Sequence, residues 1–290
     1  MFPDLDSLTY NLNHRHRGHC VIFNQENFDE CLSLNTRTNS SLDVEFMVTL
    51  FKDLGFIVRA FVDLRLKEIK DILEDLAVDT DHTDCDAMVI VFMSHGGEDV
   101  LYARDHQFHS DLLFKPFSGD ECETLVGKPK IFFIQGGRGE SLEEGVKLNE
   151  TRILKTKRRA VSIPSKHVGA ESPCGGHPLK SNMEKKDFHV SSLADFLICW
   201  STVDGYYSWR NTNTGSWFIQ ALAHVLARDC WRDDVLSLMI STARHMMKFS
   251  SKNPVIGLKK QMPHFSSTLT KKMYFYPKAT YPHIEDEEVD

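Results

Sequence analysis

The segment MVIVFMSHGG, from Met88 to Gly97, decides the fold. Six consecutive apolar residues followed by a polar turn with glycines are typical of a strand that is covered on both faces, as in a parallel sheet. A second segment, KIFFIQGGRG from Lys130 to Gly139, has the same pattern. The two segments together predict an α/β protein with a mostly parallel sheet.

Further strands and helices are predicted on both sides of these two segments. Apolar runs predict strands at Cys20–Phe23, Phe56–Ala60, Met88–Met93, Lys130–Ile134, Asp195–Trp200 and Lys272–Tyr276. Helical periodicity predicts helices at Leu42–Lys52, Leu66–Leu76, Trp217–Arg228 and Val235–Lys248. Strands that alternate with helices favour a three-layer α/β/α sandwich, with a six-stranded sheet and helices on both faces.

Composition excludes several classes of protein. The 290 residues are 41% hydrophobic and carry a net charge of −7, without the basic excess of most nucleic-acid binders. The sequence has no apolar run long enough to cross a membrane and no signal-peptide core at its N-terminus. Seven scattered cysteines without a C-x-x-C pair indicate a reducing, cytoplasmic setting. We expect no metal and no cofactor, and we interpret His14, His16 and His19 as a solvated segment.

The chain divides into two halves. The hydrophobic pattern fades over residues 141–190, where basic residues, prolines and glycines accumulate, and this predicts a mobile linker. The run Lys155–Arg159 is either part of that solvated linker or a nuclear-localisation or anionic-partner patch. The remaining predicted parts are a short N-terminal segment (1–10), a first half (11–140), a second half (191–278) and an acidic tail (279–290).

Polar turns follow both decisive strands. His95 comes at the carboxyl end of its strand, which is where α/β folds bind ligands, and Gly96 allows a backbone N–H to approach a substrate closely. Taken alone, His95 could equally be a histidine of a surface turn. The turn Gln135–Gly139 does not fit a phosphate-binding loop, because neither a lysine nor a helix start follows at the required spacing.

In combination these turns resemble the caspase family, whose signature Q-A-C-[RQG]-G has a histidine upstream. The family's short-prodomain effector type is the most similar. Other stretches agree with the resemblance: Leu34–Arg37 with Leu42-Asp43, Gly127–Lys130, Asp204–Asn211 and Gly215–Gln220. It extends from about Tyr10 to Pro277. It implies that residues 11–140 correspond to a large subunit, 191–278 to a small subunit and 141–190 to the intersubunit linker.

The resemblance also implies the roles of site residues. Caspases cleave after aspartate, and Arg37, Gln135 and Arg210 correspond to the pocket for that carboxylate, which two guanidiniums would bind through charge-assisted hydrogen bonds. The walls for the preceding side chains would come from Tyr207, Ser208, Trp209, Asn211 and Trp217. The alternative for Trp209 and Trp217 is that they are core aromatics.

One position departs from the family pattern. Gly137 stands where the nucleophilic cysteine belongs, and His95 has no thiolate to work with. In subtilisin, loss of the nucleophile lowers turnover by about 10⁶. The backbone N–H groups of Gly96 and Gly137 could still form an oxyanion hole. Neither Ser94, which alternates away from His95 along a strand, nor Cys199, Cys122 or Cys174 is a convincing substitute nucleophile.

Three functions follow from these observations. The first is a catalytically inactive decoy that keeps an aspartate pocket and regulates apoptosis, either by pairing as a two-fold dimer with itself or an active caspase, or by occupying caspase inhibitors or aspartyl peptides. The second is an active aspartate-specific endopeptidase whose active-site position is altered or engineered. The third is a structural module with a decayed pocket. The linker contains no aspartate before Asp187, which favours natural loss of processing.

Overall fold

The fold is built around a six-stranded sheet. The computed structural model describes residues 7–147, 190–251, 257–276 and 278. The strands of this sheet are β1 (His19–Asn24), β2 (Ile57–Val62), β3 (Met88–Met93), β6 (Lys130–Gln135), β7 (Phe196–Trp200) and β10 (His264–Ser267), and they lie in the order β10-β7-β6-β3-β1-β2. Two small hairpins join β4 (Val100–Tyr102) to β5 (Gln107–His109) and β8 (Arg210–Asn211) to β9 (Gly215–Ser216).

Five of the six strands run parallel, and only the edge strand β10 is antiparallel to its neighbour β7. In this register Asn24 of β1 lies opposite Met93 of β3, and Met93 lies opposite Gln135 of β6. The carboxyl ends of the three central strands therefore meet at one edge of the sheet. This edge is where the turns that follow β3 and β6 are brought together.

Helices cover both faces of the sheet, as predicted. In the described residues the α-helices are α1 (Ser41–Asp53), α2 (Leu66–Glu74), α3 (Trp217–Asp229) and α4 (Val235–Met246). One core packs α1, α3 and α4 against alternate residues of the central strands, such as Val91 and Phe133. The other packs α2 against the residues between them, such as Phe92 and Phe132. The protein is thus an α/β sandwich of three layers.

The strand prediction failed near the C-terminus. Residues 272–276 are not a strand: Lys272 makes a single bridge to Thr9, and Met273 and Phe275 bury their side chains in the core. Met273 and Phe275 alternate in burial with their neighbours because they pack into the core, and the segment joins no strand of the sheet. The sixth strand is instead His264–Ser267, whose polar sequence gives no strand signal. Strand β7 begins at Phe196, because Asp195 has a φ of +69°, outside the extended region.

The interpretation of the N-terminal histidines as solvated was wrong for two of the three. His16 is exposed, but the His14 ring lies 3.1 Å from the buried Asp86 carboxylate, and His19 is half-buried at the start of β1. Sequence spacing could not reveal this, because Asp86 is far along the chain.

Several sequence predictions fall outside the described residues. They concern the acidic tail 279–290, Lys155–Arg159, Asp187, Cys174 and most of the linker 141–190. Of the unit Gly145–Val190, only residues 145–147 and 190 are described. In the described part of the chain, no helix is both long and apolar enough to cross a membrane. The described cysteines are all free thiols, five of them buried and Cys31 exposed.

The core against α3 should dominate stability. Leu222 of α3 is 0% exposed, whereas Ile240 of α4 is 55% exposed. We expect Leu222→Ala to lower the free energy of unfolding by about 2–5 kcal/mol, because it removes buried methyl groups and leaves a cavity. The matched control Ile240→Ala should change it by less than about 0.5 kcal/mol. Urea denaturation would measure both, and equal losses would contradict this description of the core.

Candidate active site

His95 lies two residues beyond the end of β3 and is partly buried. Its Nε2 is 2.7 Å from the backbone carbonyl oxygen of Asn35, and the ring of Phe28 packs on it with centroids 5.0 Å apart. A carbonyl only accepts hydrogen bonds, so Nε2 carries the proton and Nδ1 keeps a free lone pair in the neutral ring. Burial lowers the pKa of His95, and the charges of Arg37 and Arg210 lower it further. The imidazole is therefore a neutral, oriented base at pH 7.

The turns after β3 and β6 approach each other closely at Gly96 and Gly137. A Cβ on Gly96 would lie only 2.5 Å from the carbonyl oxygen of Gly137, so this position requires glycine. A Cβ on Gly137 would meet only the Gly96 oxygen, at 3.3 Å, and the φ of Gly137 lies outside the left-handed region. The backbone conformation at position 137 therefore allows a side chain, provided that the Gly96 oxygen moves by a few tenths of an ångström.

The turn that carries Gly137 is well anchored. The Ser201 hydroxyl accepts from Gly136 N–H (3.2 Å) and donates to the Gly136 carbonyl (2.9 Å). Arg138 donates its N–H to the carbonyl of Tyr206, and Gly205 donates to the carbonyl of Arg138. These bonds hold the turn without any contribution from a side chain at position 137.

Two backbone donors point to no partner within the described residues. Neither the N–H of Gly96 nor that of Gly137 donates to another group there, although the neighbouring Gly97 and Gly136 both do. An oxyanion hole requires backbone N–H groups without acceptors. Both predicted donors meet that requirement among the described residues.

Arg37 and Arg210 provide the positive charge of the site. Arg37 is 4% exposed, and its Nη1 donates to Asn24 Oδ1, to the Gln25 carbonyl and to the Met93 carbonyl. Burial lowers the pKa of Arg37 to about 10, against the raising influence of Asp43, and Arg210 lowers it as well. Arg210 begins β8, is half-buried and donates Nη1 to the Thr38 carbonyl. Two neighbouring guanidiniums with unused N–H groups favour an anion between them.

Gln135 ends β6 and is 4% exposed. Its Nε2 donates to the Ser208 hydroxyl at 2.7 Å, while its Oε1 is buried without a partner among the described residues. Ser208 also accepts from Gln261 Nε2 at 3.3 Å, and Gln261 accepts from the Trp209 N–H. A buried amide that is only half satisfied is typical of a site that a ligand completes.

An aromatic row continues from this pocket. Trp209 stacks on Trp217 with centroids 5.9 Å apart, and Trp217 stacks on Phe249 at 5.8 Å. Tyr207, 49% exposed, extends the row toward solvent. Beside the row lies a groove of about 610 Å³, lined by Trp209, Arg210, Asn211, Thr214, Trp217 and Lys248–Ser251. Trp217 is 7% exposed and belongs to the core as well as to the groove wall, whereas Trp209 Nε1 is buried without a described partner.

Asp43 joins helix α1 to strand β9 beside the site. It is fully buried in α1, and its carboxylate accepts the N–H (2.8 Å) and hydroxyl (2.6 Å) of Ser216. Burial raises the pKa of Asp43, while the Ser216 hydrogen bonds and the charges of Arg37 and Arg210 oppose this. Asp43 thus balances the arginine charges and positions the segment that follows β8.

All predicted site residues converge on this one edge of the sheet, and several others were missed. Phe249, Gln261, Phe28 and Asn35 contact the site but gave no sequence signal. Asn35 acts through its backbone carbonyl, which no residue pattern reveals. Phe249 and Gln261 lie in loops between α4 and β10.

The candidate substitute nucleophiles do not replace the missing thiol. The Ser94 hydroxyl is buried and donates to the Tyr102 carbonyl at 2.6 Å. Cys199 is 1% exposed within β7, and burial raises the pKa of its thiol strongly. Cys122 is also buried. None of these three groups offers a reactive side chain to the turn at Gly137.

Comparisons with known proteins find similar sequences and a similar fold over most of the chain. A family model of the caspase domain matches residues 17–274. The chain is 35% identical to Caspase-1 of Spodoptera frugiperda over 282 residues, covering 96% of this chain and 85% of that protein. It is 35% identical to Caspase-6 of Rattus norvegicus, covering 93% of each. The crystal structure of Caspase-1 from Spodoptera frugiperda superposes with a TM-score of 0.81 at 34% identity, covering 97% of this chain and 98% of that one.

The contact between Gly96 and Gly137 predicts opposite tolerances for a methyl group. We expect Gly137→Ala to change the free energy of unfolding by less than about 1 kcal/mol, because a Cβ there requires the Gly96 oxygen to move by only a few tenths of an ångström. Gly96→Ala should lower it by about 2 kcal/mol or more, since the backbone must move to relieve the 2.5 Å contact. Chemical denaturation of both variants tests this, and a greater loss for Gly137→Ala would refute the proposed shape of the turn.

Proposed function

The chain belongs to the caspase family, and we propose that it is a catalytically inactive member that binds aspartyl peptides without cleaving them. The observation that carries the proposal is the glycine at position 137, on the turn after β6 where the family signature has its cysteine. A peptide bond needs a thiolate to attack its carbonyl carbon in this type of site. Here His95 is an oriented base without a thiol to deprotonate.

Binding is supported by what surrounds Gly137. The pair Arg37 and Arg210 supplies charge for a carboxylate. The unpaired Oε1 of Gln135 can only accept, so it would serve a peptide N–H and not the carboxylate itself. The free N–H groups of Gly96 and Gly137 would accommodate the carbonyl oxygen of a bound peptide. The aromatic groove beside Trp209 would take the preceding side chains. These features bind a substrate's ground state as well as its transition state, so their retention does not require catalysis.

An active endopeptidase is the competing function, and it needs another nucleophile. Of the cysteines in the described residues, five are buried away from solvent and Cys31 lies in the short helical turn Glu30–Leu32. No hydrogen bond or ring contact joins any of them to His95 in that part of the chain. The active function is therefore not favoured by a specific observation.

The regulatory role that we propose is pairing with or substituting for an active caspase in apoptosis. The partner would be an active relative or a second copy of this chain, joined along the free edge of the sheet. Within the described residues, the outer side of β10 pairs with no strand, which leaves that edge available. The decoy could also occupy caspase inhibitors or aspartyl peptides. We propose a cytoplasmic location, in keeping with free, mostly buried thiols.

A paired assay tests binding without cleavage. The purified chain should bind an aspartyl tetrapeptide in calorimetry but should not cleave its fluorogenic derivative above background. Gly137→Cys should restore cleavage, by a factor that approaches the roughly 10⁶ expected for a nucleophile, and Gly137→Ser is the matched control. The Cys variant is assayed intact and after cutting a foreign protease site placed within residues 148–189, because caspases usually require linker cleavage. Turnover by the unaltered chain would overturn the proposal.

The carboxylate specificity has its own test. Arg210→Ala should weaken binding of the aspartyl peptide by about 10- to 100-fold, since a hydrogen bond to a charged group contributes about 1.5–3 kcal/mol. Binding of the matching asparaginyl peptide should change little. Arg232→Ala is the control, because Arg232 pairs with Asp229 and Asp233 beyond the end of α3. Equal losses of affinity for both peptides would show that Arg210 does not contribute to recognition of the carboxylate.

A further inference from the structure

Three metal-ligating side chains meet at the amino end of the sheet, away from the candidate active site. His19 begins β1, and His82 and Cys85 lie in the connection that leads from α2 into β3. A potential ligand atom of each residue lies within 4.8 Å of the others. The His19 and His82 rings are perpendicular, with centroids 5.5 Å apart. The candidate active site lies at the carboxyl ends of these strands, so it gives this cluster no role.

The hydrogen bonding of His82 points to a ligand. His82 is 0% exposed, and its Nε2 is 2.8 Å from the Leu76 carbonyl oxygen. The carbonyl can only accept, so Nε2 is protonated and Nδ1 carries a lone pair. Nδ1 is buried and has no partner among the described residues. A histidine that donates one ring N–H to a carbonyl while the other nitrogen is free is arranged as metal-binding histidines are.

The other two side chains are also suited to a metal. His19 is half-buried at the start of β1, and Cys85 is buried with a free thiol. A bound cation would stabilise the thiolate of Cys85, and the thiol proton would pass to solvent.

We propose that His19, His82 and Cys85 bind a divalent transition-metal ion of the zinc type, with a fourth position for water. Nitrogen and thiolate donors in this ratio suit Zn²⁺, and they exclude Mg²⁺ and Ca²⁺, which prefer oxygen. Ligands of a tetrahedral zinc ion lie about 3.3–3.8 Å apart, as follows from bond lengths of about 2.0–2.3 Å.

The ion would act on stability. It would join the start of β1 to the connection between α2 and β3, which Lys128 already holds through hydrogen bonds to the carbonyls of His82 and Thr83. Lys128 would repel a cation, whereas the carboxylates of Asp81, Asp84 and Asp86 in the same connection would attract one.

Cobalt titration of the full chain tests the site. After chelation and dialysis, Co²⁺ should bind with one-to-one stoichiometry and give a thiolate-to-cobalt charge-transfer band, which Zn²⁺ should abolish by displacement. Cys85→Ser should lose the band and weaken binding by at least about 100-fold. Cys122→Ser is the matched control, because Cys122 is also a buried free thiol but lies outside the cluster. It should behave like the unaltered chain.

Thermal unfolding gives an independent measurement. At about a hundredfold excess over its dissociation constant, Zn²⁺ should raise the Tm of the unaltered chain by roughly 5 °C and that of Cys85→Ser by much less. His19→Gln, which keeps a polar side chain at a half-buried position, serves if Cys85→Ser does not fold. Absence of cobalt binding, or equal binding by the unaltered chain and both cluster variants, would overturn the proposal.

Discussion

The parallel register of β1, β3 and β6 is the constraint on which the candidate site depends. It brings Asn24, Met93 and Gln135 side by side, so that the turns beyond them share one edge. Arg37 then fixes this edge, because its Nη1 binds the side chain of Asn24 and the carbonyls of Gln25 and Met93. The buried guanidinium is thus part of the fold as well as part of the pocket. Because Arg37 has this structural role, its presence alone is weak support for ligand binding. Arg210 is half-buried and bonds to one carbonyl, so its structural role is smaller and its presence supports ligand binding more.

The loss of the thiol is tolerated because the rest of the turn does not depend on it. Glycine at position 137 costs roughly 0.5–1 kcal/mol in unfolded-state entropy relative to alanine. Ser201 and the backbone bonds between Arg138 and the segment 205–206 hold the turn in compensation. Catalysis can therefore disappear while the shape of the site remains. A binding function needs only that shape and its charges.

Much of the fold was predictable from the sequence, since continuous apolar runs such as Met88–Met93 can hardly be anything but buried strands. The failures have physical reasons. Strand β10 is an edge strand with polar residues, and Met273 and Phe275 alternate without a pairing partner. In the site, motif residues were found, but a contact through a backbone carbonyl, as at Asn35, leaves no local pattern. Outside the site, a contact between distant residues, as for Asp86 with His14, leaves none either. The cluster of His19 with His82 and Cys85 was missed for the same reason.

The two ends of the sheet are connected by the same strands, and this bears on how they influence each other. His19 starts β1 and Asn24 ends it, about 17 Å apart for an extended strand. Strand β3 likewise links the connection with Cys85 to the turn with His95. Both strands are buried on their two faces by tightly packed side chains, and such interiors resist gradual deformation. A ligand at the amino end would therefore change the free energy needed to separate β1 from β3. It would not change the spacing of Arg37, Gln135 and His95. Stability and peptide binding should accordingly be separable properties of this chain.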